Sequence, residues 1–144
     1  MKDVSPLAKL RYLRNVNLSN TAVVNVNPLM DSVWPQRLQD LDLSFNRQLK
    51  QIRGLANLGS LENVNLSYTG IESIEGLRRV GSLTTLNVSN NPNLTNLNPL
   101  IQLDIFTLLP AYIRVRQTLD LRGSGVNKDT IPGGHHNRNL KILA

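Results

Sequence analysis

The sequence of 144 residues contains no cysteine, and only 4% of its residues are aromatic. Without cysteine, neither a disulfide framework nor a thiolate metal site can form, so an oxidising compartment gains no support. Nowhere do about 18 apolar residues run together, and the opening residues MKDVSPLAKLRYL lack the apolar stretch of a signal peptide. We therefore expect a cytoplasmic protein without a membrane span, whose core is built from Leu, Ile and Val.

The formal net charge of +6 is distributed unevenly along the chain. Residues 1–14 hold four basic residues against one acidic residue, and residues 114–144 hold six against two. A nucleic-acid-binding domain usually gathers its positive charge on one working face. Charge at the two ends of the chain therefore does not favour nucleic acid as the partner.

The residue groupings of catalysis and metal binding are also missing. There is no Gly-rich phosphate loop, no serine elbow and no cysteine nucleophile. The histidines, His135 and His136, lie in the segment PGGHHNRN, which we interpret as a solvated loop without a metal ion. The sequence predicts no enzymatic activity, no cofactor and no small-molecule substrate.

The sequence does contain a repeat. Leucines recur in an LxxLxL pattern, for example at Leu38, Leu41 and Leu43, and the starts of successive repeats are separated by 25, 23, 22 and 33 residues. We predict a single domain over residues 1–144 with partial repeats at both ends. Its five repeats are approximately 13–37, 38–60, 61–82, 83–115 and 116–139.

The stretch LQDLDLSFN, residues 38–46, resembles the LxxLxLxxN motif of the leucine-rich repeat family, and the resemblance extends over nearly the whole chain. LSYTGIESIEGL is similar to the short, roughly 22-residue repeats of the phosphatase-regulatory and internalin-like subclass. DVSPLAKLRYL and NLNPLIQL resemble a turn that recurs in internalins. The resemblance implies an α/β solenoid: a leucine-rich repeat horseshoe with a parallel β-sheet on the concave face and helical or 3-10 turns on the convex face.

The period of two within each L-x-L step predicts a short strand that points its leucines into the core and the intervening residues outward. In the leucine-rich repeat family the concave face is the usual place for a protein partner. The serines Ser44, Ser67 and Ser89 are expected on this face as well. The candidate partner-binding residues on the strands are Asn15, Asn17, Asp40, Asp42, Asn63, Asn65, Thr85, Asn87, Asp120 and Arg122.

Two further columns of residues follow the strands. Phe45 and Tyr68 occupy matching positions in adjacent repeats, and they are candidates either for interface anchors or for a shared stacking role. The next column is expected to turn inward, where amide and hydroxyl groups satisfy the backbone at the bend. That inward column is Thr21, Asn46, Thr69, Asn91 and Ser124.

Two insertions interrupt the repeat. The 33-residue spacing leaves about ten extra residues near 101–115, which are either a functional projection or a longer convex helix. Trp34, in the segment DSVWPQR, is interpreted as a packed loop residue.

Two functions follow from this organisation. The first is a non-enzymatic scaffold that binds a protein partner through the concave face. The alternative is a structural or assembly component that docks through its uncapped ends and the 101–115 insertion. In this alternative the chain associates end to end with itself or forms part of a longer repeat array.

Overall fold

A computed structural model of the chain describes residues 2–10, 12–31, 37–101, 117–131 and 140–144. Several sequence predictions lie outside the described residues, including the roles of Trp34, His135 and His136. The 101–115 insertion also lies outside them, apart from its first residue.

Short strands form one parallel sheet in the described part of the chain, and they follow one another in sequence order. The register places Leu41 opposite Val16 on one side and opposite Val64 on the other, so equivalent repeat positions form continuous columns. The ladder continues past each strand end, because the N–H of Leu18 donates to the carbonyl oxygen of Asp42 at 2.8 Å. The strands are β1 (Asn15–Asn17), β2 (Asp40–Asp42), β3 (Asn63–Asn65), β4 (Thr85–Asn87), β5 (Gln117–Asp120) and β6 (Leu140–Leu143).

Short helical segments return the chain along the convex side. They are the 3-10 helices Ser5–Lys9, Asn27–Asp31, Arg53–Leu55, Glu75–Leu77 and Lys128–Thr130, and the α-helix Asn98–Ile101. Two of these turns require glycine because neighbouring backbones touch there. A Cβ atom at Gly54 would lie 1.8 Å from the carbonyl oxygen of Val26, and one at Gly76 would lie 1.8 Å from that of Ile52.

The apolar residues of the repeat fill the space between the sheet and the convex turns. Leu38, Leu41 and Leu43 are almost completely buried, as are Leu61 and Leu66 in the next repeat. A single repeat could not bury these side chains alone, so stacking of neighbours supplies the continuous core. The predicted fold class is confirmed: the chain is an α/β solenoid whose parallel sheet lines the concave face.

Candidate functional site

The residues behind the concave face form internal hydrogen bonds and are unavailable to a partner. Asn46 is 1% exposed, and its Nδ2 donates to the carbonyl oxygens of Leu18 and Leu43 at 2.8 and 2.9 Å. Its Oδ1 accepts from the N–H groups of Thr21 and Val23 at 3.1 and 3.0 Å. One amide therefore satisfies backbone groups of its own repeat and of the preceding one.

The next pair of repeats uses the same arrangement. Asn91 is buried, and its Nδ2 donates to the carbonyl oxygens of Leu66 and Val88 at 2.8 and 3.0 Å. The hydroxyl of Thr69 lies 2.8 Å from Asn91 Oδ1. The predicted inward, structural role is confirmed for Asn46, Thr69 and Asn91.

The second outward position of strands β1 to β5 has a structural role that the sequence analysis did not identify. The Oδ1 atom of Asn65 accepts from the N–H of Ser67 at 3.1 Å, and Asn87 accepts from Ser89 at 2.9 Å. Asn17, Asp42 and Asp120 make the same contact with the N–H two residues later. Each is an Asx turn that ends the strand, and the repeated Asx-x-Ser spacing was the available signal.

The serines that follow β2, β3 and β4 are buried, so their assignment to the concave surface was wrong. Ser44, Ser67 and Ser89 are 2%, 5% and 6% exposed. The Ser67 hydroxyl donates back to Asn65 Oδ1 at 2.8 Å, within the same turn. The concave face is therefore narrower than the sequence analysis suggested.

The first outward position of each strand forms a polar row across the sheet. Asn63 Nδ2 donates to Asp40 Oδ1 at 2.6 Å. With its amide nitrogen turned toward the same carboxylate, Asn15 donates to Asp40 Oδ2 at 2.7 Å. The hydroxyl of Thr84 reaches Asn63 Oδ1 at 3.2 Å, while Thr85 is half-buried in the same row. Asn15 and Asn63 are exposed and Asp40 is partly exposed, so this row can meet a partner.

At the β5 end of the surface, the charge of Asp120 is neutralised. Asp120 is 7% exposed, and its carboxylate accepts from Arg122 Nε at 3.0 Å and from Nη2 at 2.7 Å. These hydrogen bonds hold the pKa of Asp120 below its usual range, although burial opposes the shift. Of the two, only the Arg122 side chain is available at the surface.

Phe45 and Tyr68 form a stacked aromatic pair at the rim of the concave face. Their ring centroids are 4.7 Å apart, with an angle of 9° between the planes. Phe45 is 53% exposed and Tyr68 is 39% exposed. Each N–H continues the sheet ladder, from Phe45 to Ser67 O at 3.0 Å and from Tyr68 to Ser89 O at 3.1 Å.

Both aromatic residues have left-handed backbone conformations, with φ of 59° at Phe45 and 53° at Tyr68. The other members of this column are Asn20, Asn90 and Gly123, at φ of 53°, 56° and 67°. Asparagine and glycine tolerate this region, whereas bulky residues rarely occupy it. The sequence analysis missed this requirement, although Asn and Gly at matching positions were a usable signal.

Other kinds of site find no support in the residues that the structure describes. They contain no group of three or more His, Asp or Glu residues that could hold a metal ion. No helix among them is long and apolar enough to cross a bilayer.

The parallel ladder, the short convex turns and the internal asparagines together define the leucine-rich repeat fold. Among solved structures, the chain is similar to an internalin C2 of Listeria monocytogenes, with a TM-score of 0.78 and 23% identity. It is also similar to another internalin of that organism, with a TM-score of 0.72 and 20% identity. A leucine-rich repeat protein of Leptospira interrogans has a TM-score of 0.47 and 15% identity. No protein-family model and no curated protein sequence matches the chain.

These similarities cover the chain almost completely but only part of the related structures. The alignment with internalin C2 covers 100% of this chain and 56% of the internalin C2 chain. The alignment with the second internalin covers 99% of this chain and 44% of that structure. The chain thus spans about half the length of these structures. At this level of identity the comparison shows the fold.

Proposed function

We propose that the chain is a protein-binding scaffold that captures its partner on the concave face, with Phe45 and Tyr68 as the anchor. The observation that carries the proposal is the exposed aromatic pair held at positive φ. A bulky residue in this region costs on the order of 1–3 kcal/mol. Asn20 and Asn90 occupy equivalent positions without large side chains, so the fold does not need aromatic residues there.

The surface beside the anchor suits recognition by a protein. Exposed aromatic residues are enriched among residues that dominate binding energy, because they bury a large area at low entropic cost. The row of Asn15, Asp40 and Asn63 then offers donors and acceptors along several repeats. Polar residues next to an exposed apolar anchor are the combination that protein interfaces use.

Photo-cross-linking in the source cells tests this function. A photoreactive residue placed at Asn63, exposed on the concave face, is expected to yield a discrete adduct with another protein. The same residue at Gln51, exposed on the convex side, is the matched control and should yield none. Equal adducts at both positions, or an adduct only at Gln51, would remove the concave face as the binding surface.

The assembly alternative predicts a different result from the same experiment. If the chain docks through its ends and the 101–115 insertion, cross-links should form there and leave Asn63 unmodified. We favour concave-face binding, because the strained aromatic pair lies there.

A further inference from the structure

A cleft of about 440 Å³ opens next to the aromatic pair and has Tyr68 in its lining. It is lined by Arg47, Tyr68, Asn90, Pro92, Asn93 and Gly123, among others. These residues come from four successive repeats, so only the stacked solenoid creates the cleft.

Alternating loop lengths shape this cleft. After the inward Asn46 and Asn91, two residues precede the next apolar residue, whereas after the inward Thr69 there is only Gly70. The shorter loop is drawn in, since the Gly70 N–H donates to the carbonyl oxygen of Leu49 at 3.0 Å. A Cβ atom at Gly70 would lie 2.5 Å from the carbonyl oxygen of Arg47. The short loop thus lies between two longer ones that border the cleft.

Gly123, at the edge of the cleft formed by the last of the four repeats, leaves additional space there. It belongs to the same left-handed column as Tyr68 and Asn90 but has no side chain. A Cβ atom at Gly123 would lie 2.8 Å from Asn90 Oδ1, so the Asn90 amide rests against the glycine. A side chain at position 123 would reduce the cleft.

The chemistry of the lining favours an anion. Arg47 is exposed, and it makes no ion pair with any carboxylate that the structure describes; the ion pairs found there join Arg78 to Glu75 and Arg122 to Asp120. No acidic residue lines the cleft. A guanidinium with neighbouring amide donors is suited to a carboxylate, which it can bind through two parallel hydrogen bonds.

We propose that this cleft receives the carboxylate of an acidic side chain on the protein partner, an inference that rests on the proposed function. On the strands of the same concave face, Asp40 lies in the first outward row and Asp42 in the second. Those charges repel a carboxylate and favour basic or donor groups. A partner with an acidic residue at the rim and donors over the strands is therefore held in one orientation.

Nuclear magnetic resonance titration of the isolated chain tests the cleft without requiring the natural partner. The probe is a capped glycine-glutamate-glycine peptide, compared with its glutamine counterpart and with inorganic phosphate. We expect saturable shifts of the Arg47 Nε–H and of the Asn90 and Asn93 side-chain amides, with a dissociation constant on the order of millimolar. The glutamine peptide should produce no saturable shift.

Two variants locate the binding. Arg47→Gln should weaken glutamate binding at least about fivefold. Gly123→Asn should do the same while retaining Arg47, because asparagine tolerates the left-handed backbone and fills the cleft. Arg79→Gln, at an exposed cation of the convex side, is the matched control and should bind as wild type does.

Three results would overturn the assignment: non-saturable shifts with glutamate, equal binding by the Arg47→Gln variant, or saturable binding of phosphate but not of glutamate. Cross-linking at Asn63 reports partner capture independently of the cleft. A failed titration together with a successful cross-link would thus reject only the cleft.

Discussion

Asn46 donates from its side-chain amide to the carbonyl oxygen of Leu18 at 2.8 Å, across 28 residues of sequence. The contact joins the first two predicted repeats through a group that is 1% exposed. It shows that some of the polar residues of this solenoid belong to its interior. Distinguishing those residues from the surface ones determines which substitutions test folding and which test function.

Replacing Asn46 with leucine should destabilise the chain severely. The substitution keeps the branched shape of the side chain but removes its hydrogen bonds to buried backbone groups of Leu18, Leu43 and Val23. Each such group costs roughly 1–3 kcal/mol, so we expect the free energy of unfolding to fall by about 3–5 kcal/mol after partial relaxation. Urea unfolding measures this change in the free energy of unfolding. Gln48→Ala, two residues away and exposed, should change it by less than about 0.5 kcal/mol.

The convex turns predict a contrast between two glycines. Gly76→Ala places a methyl group where the carbonyl oxygen of Ile52 lies 1.8 Å away, so backbone must move. We expect a loss of at least about 2 kcal/mol in the free energy of unfolding. Gly81→Ala meets no atom within 4 Å and should leave stability unchanged or raise it by up to about 1 kcal/mol. Equal thermal unfolding temperatures for the two variants would contradict the close packing of these turns.

The contact between Asp120 and Arg122 predicts a pH dependence. Hydrogen bonds from Arg122 lower the pKa of Asp120 in the folded protein, while an unfolded aspartate titrates near roughly 3.9. The stabilisation is therefore complete above that pH and is lost as the pH falls through the lower, folded value. The stability difference between wild type and Asp120→Asn should be constant above about pH 5 and shrink below about pH 4. Urea unfolding across this range would show a constant difference if the carboxylate were unperturbed.

The sequence was sufficient to predict the fold because the spacing of its apolar residues directly reflects the repeat. Leu61, Val64 and Leu66 define both a strand and its inward face, and they repeat at Leu83, Leu86 and Val88. The internal Asn46 was also predictable, since a bend must satisfy its backbone groups.

The site was only partly predictable, because its details depend on backbone geometry. Alternation places Asn65 on the outer face of the sheet, but it does not reveal that Oδ1 is occupied by the N–H of Ser67 at 3.1 Å. Sequence position also cannot show which way the rings of Phe45 and Tyr68 face. Both rings project from a left-handed backbone, whose φ the sequence does not specify.

The central claim is that Phe45 and Tyr68 are retained for binding at some expense of stability. The double variant Phe45→Asn/Tyr68→Asn introduces the residue that Asn20 and Asn90 use at the same backbone conformation. Asparagine is less strained than an aromatic residue in this conformation, so part of the backbone strain of about 1–3 kcal/mol per residue is relieved and offsets the lost ring stacking of about 0.5–1.5 kcal/mol. The free energy of unfolding should therefore remain constant or rise by about 1 kcal/mol.

The most direct measurement is the affinity of this double variant for the partner identified by cross-linking at Asn63, with Gln51→Ala as the convex-side control. We predict that the double variant binds at least about 30-fold more weakly than wild type, while the control binds equally and both variants remain folded. An affinity within about twofold of wild type for a folded double variant would contradict the assignment of the aromatic pair as the anchor.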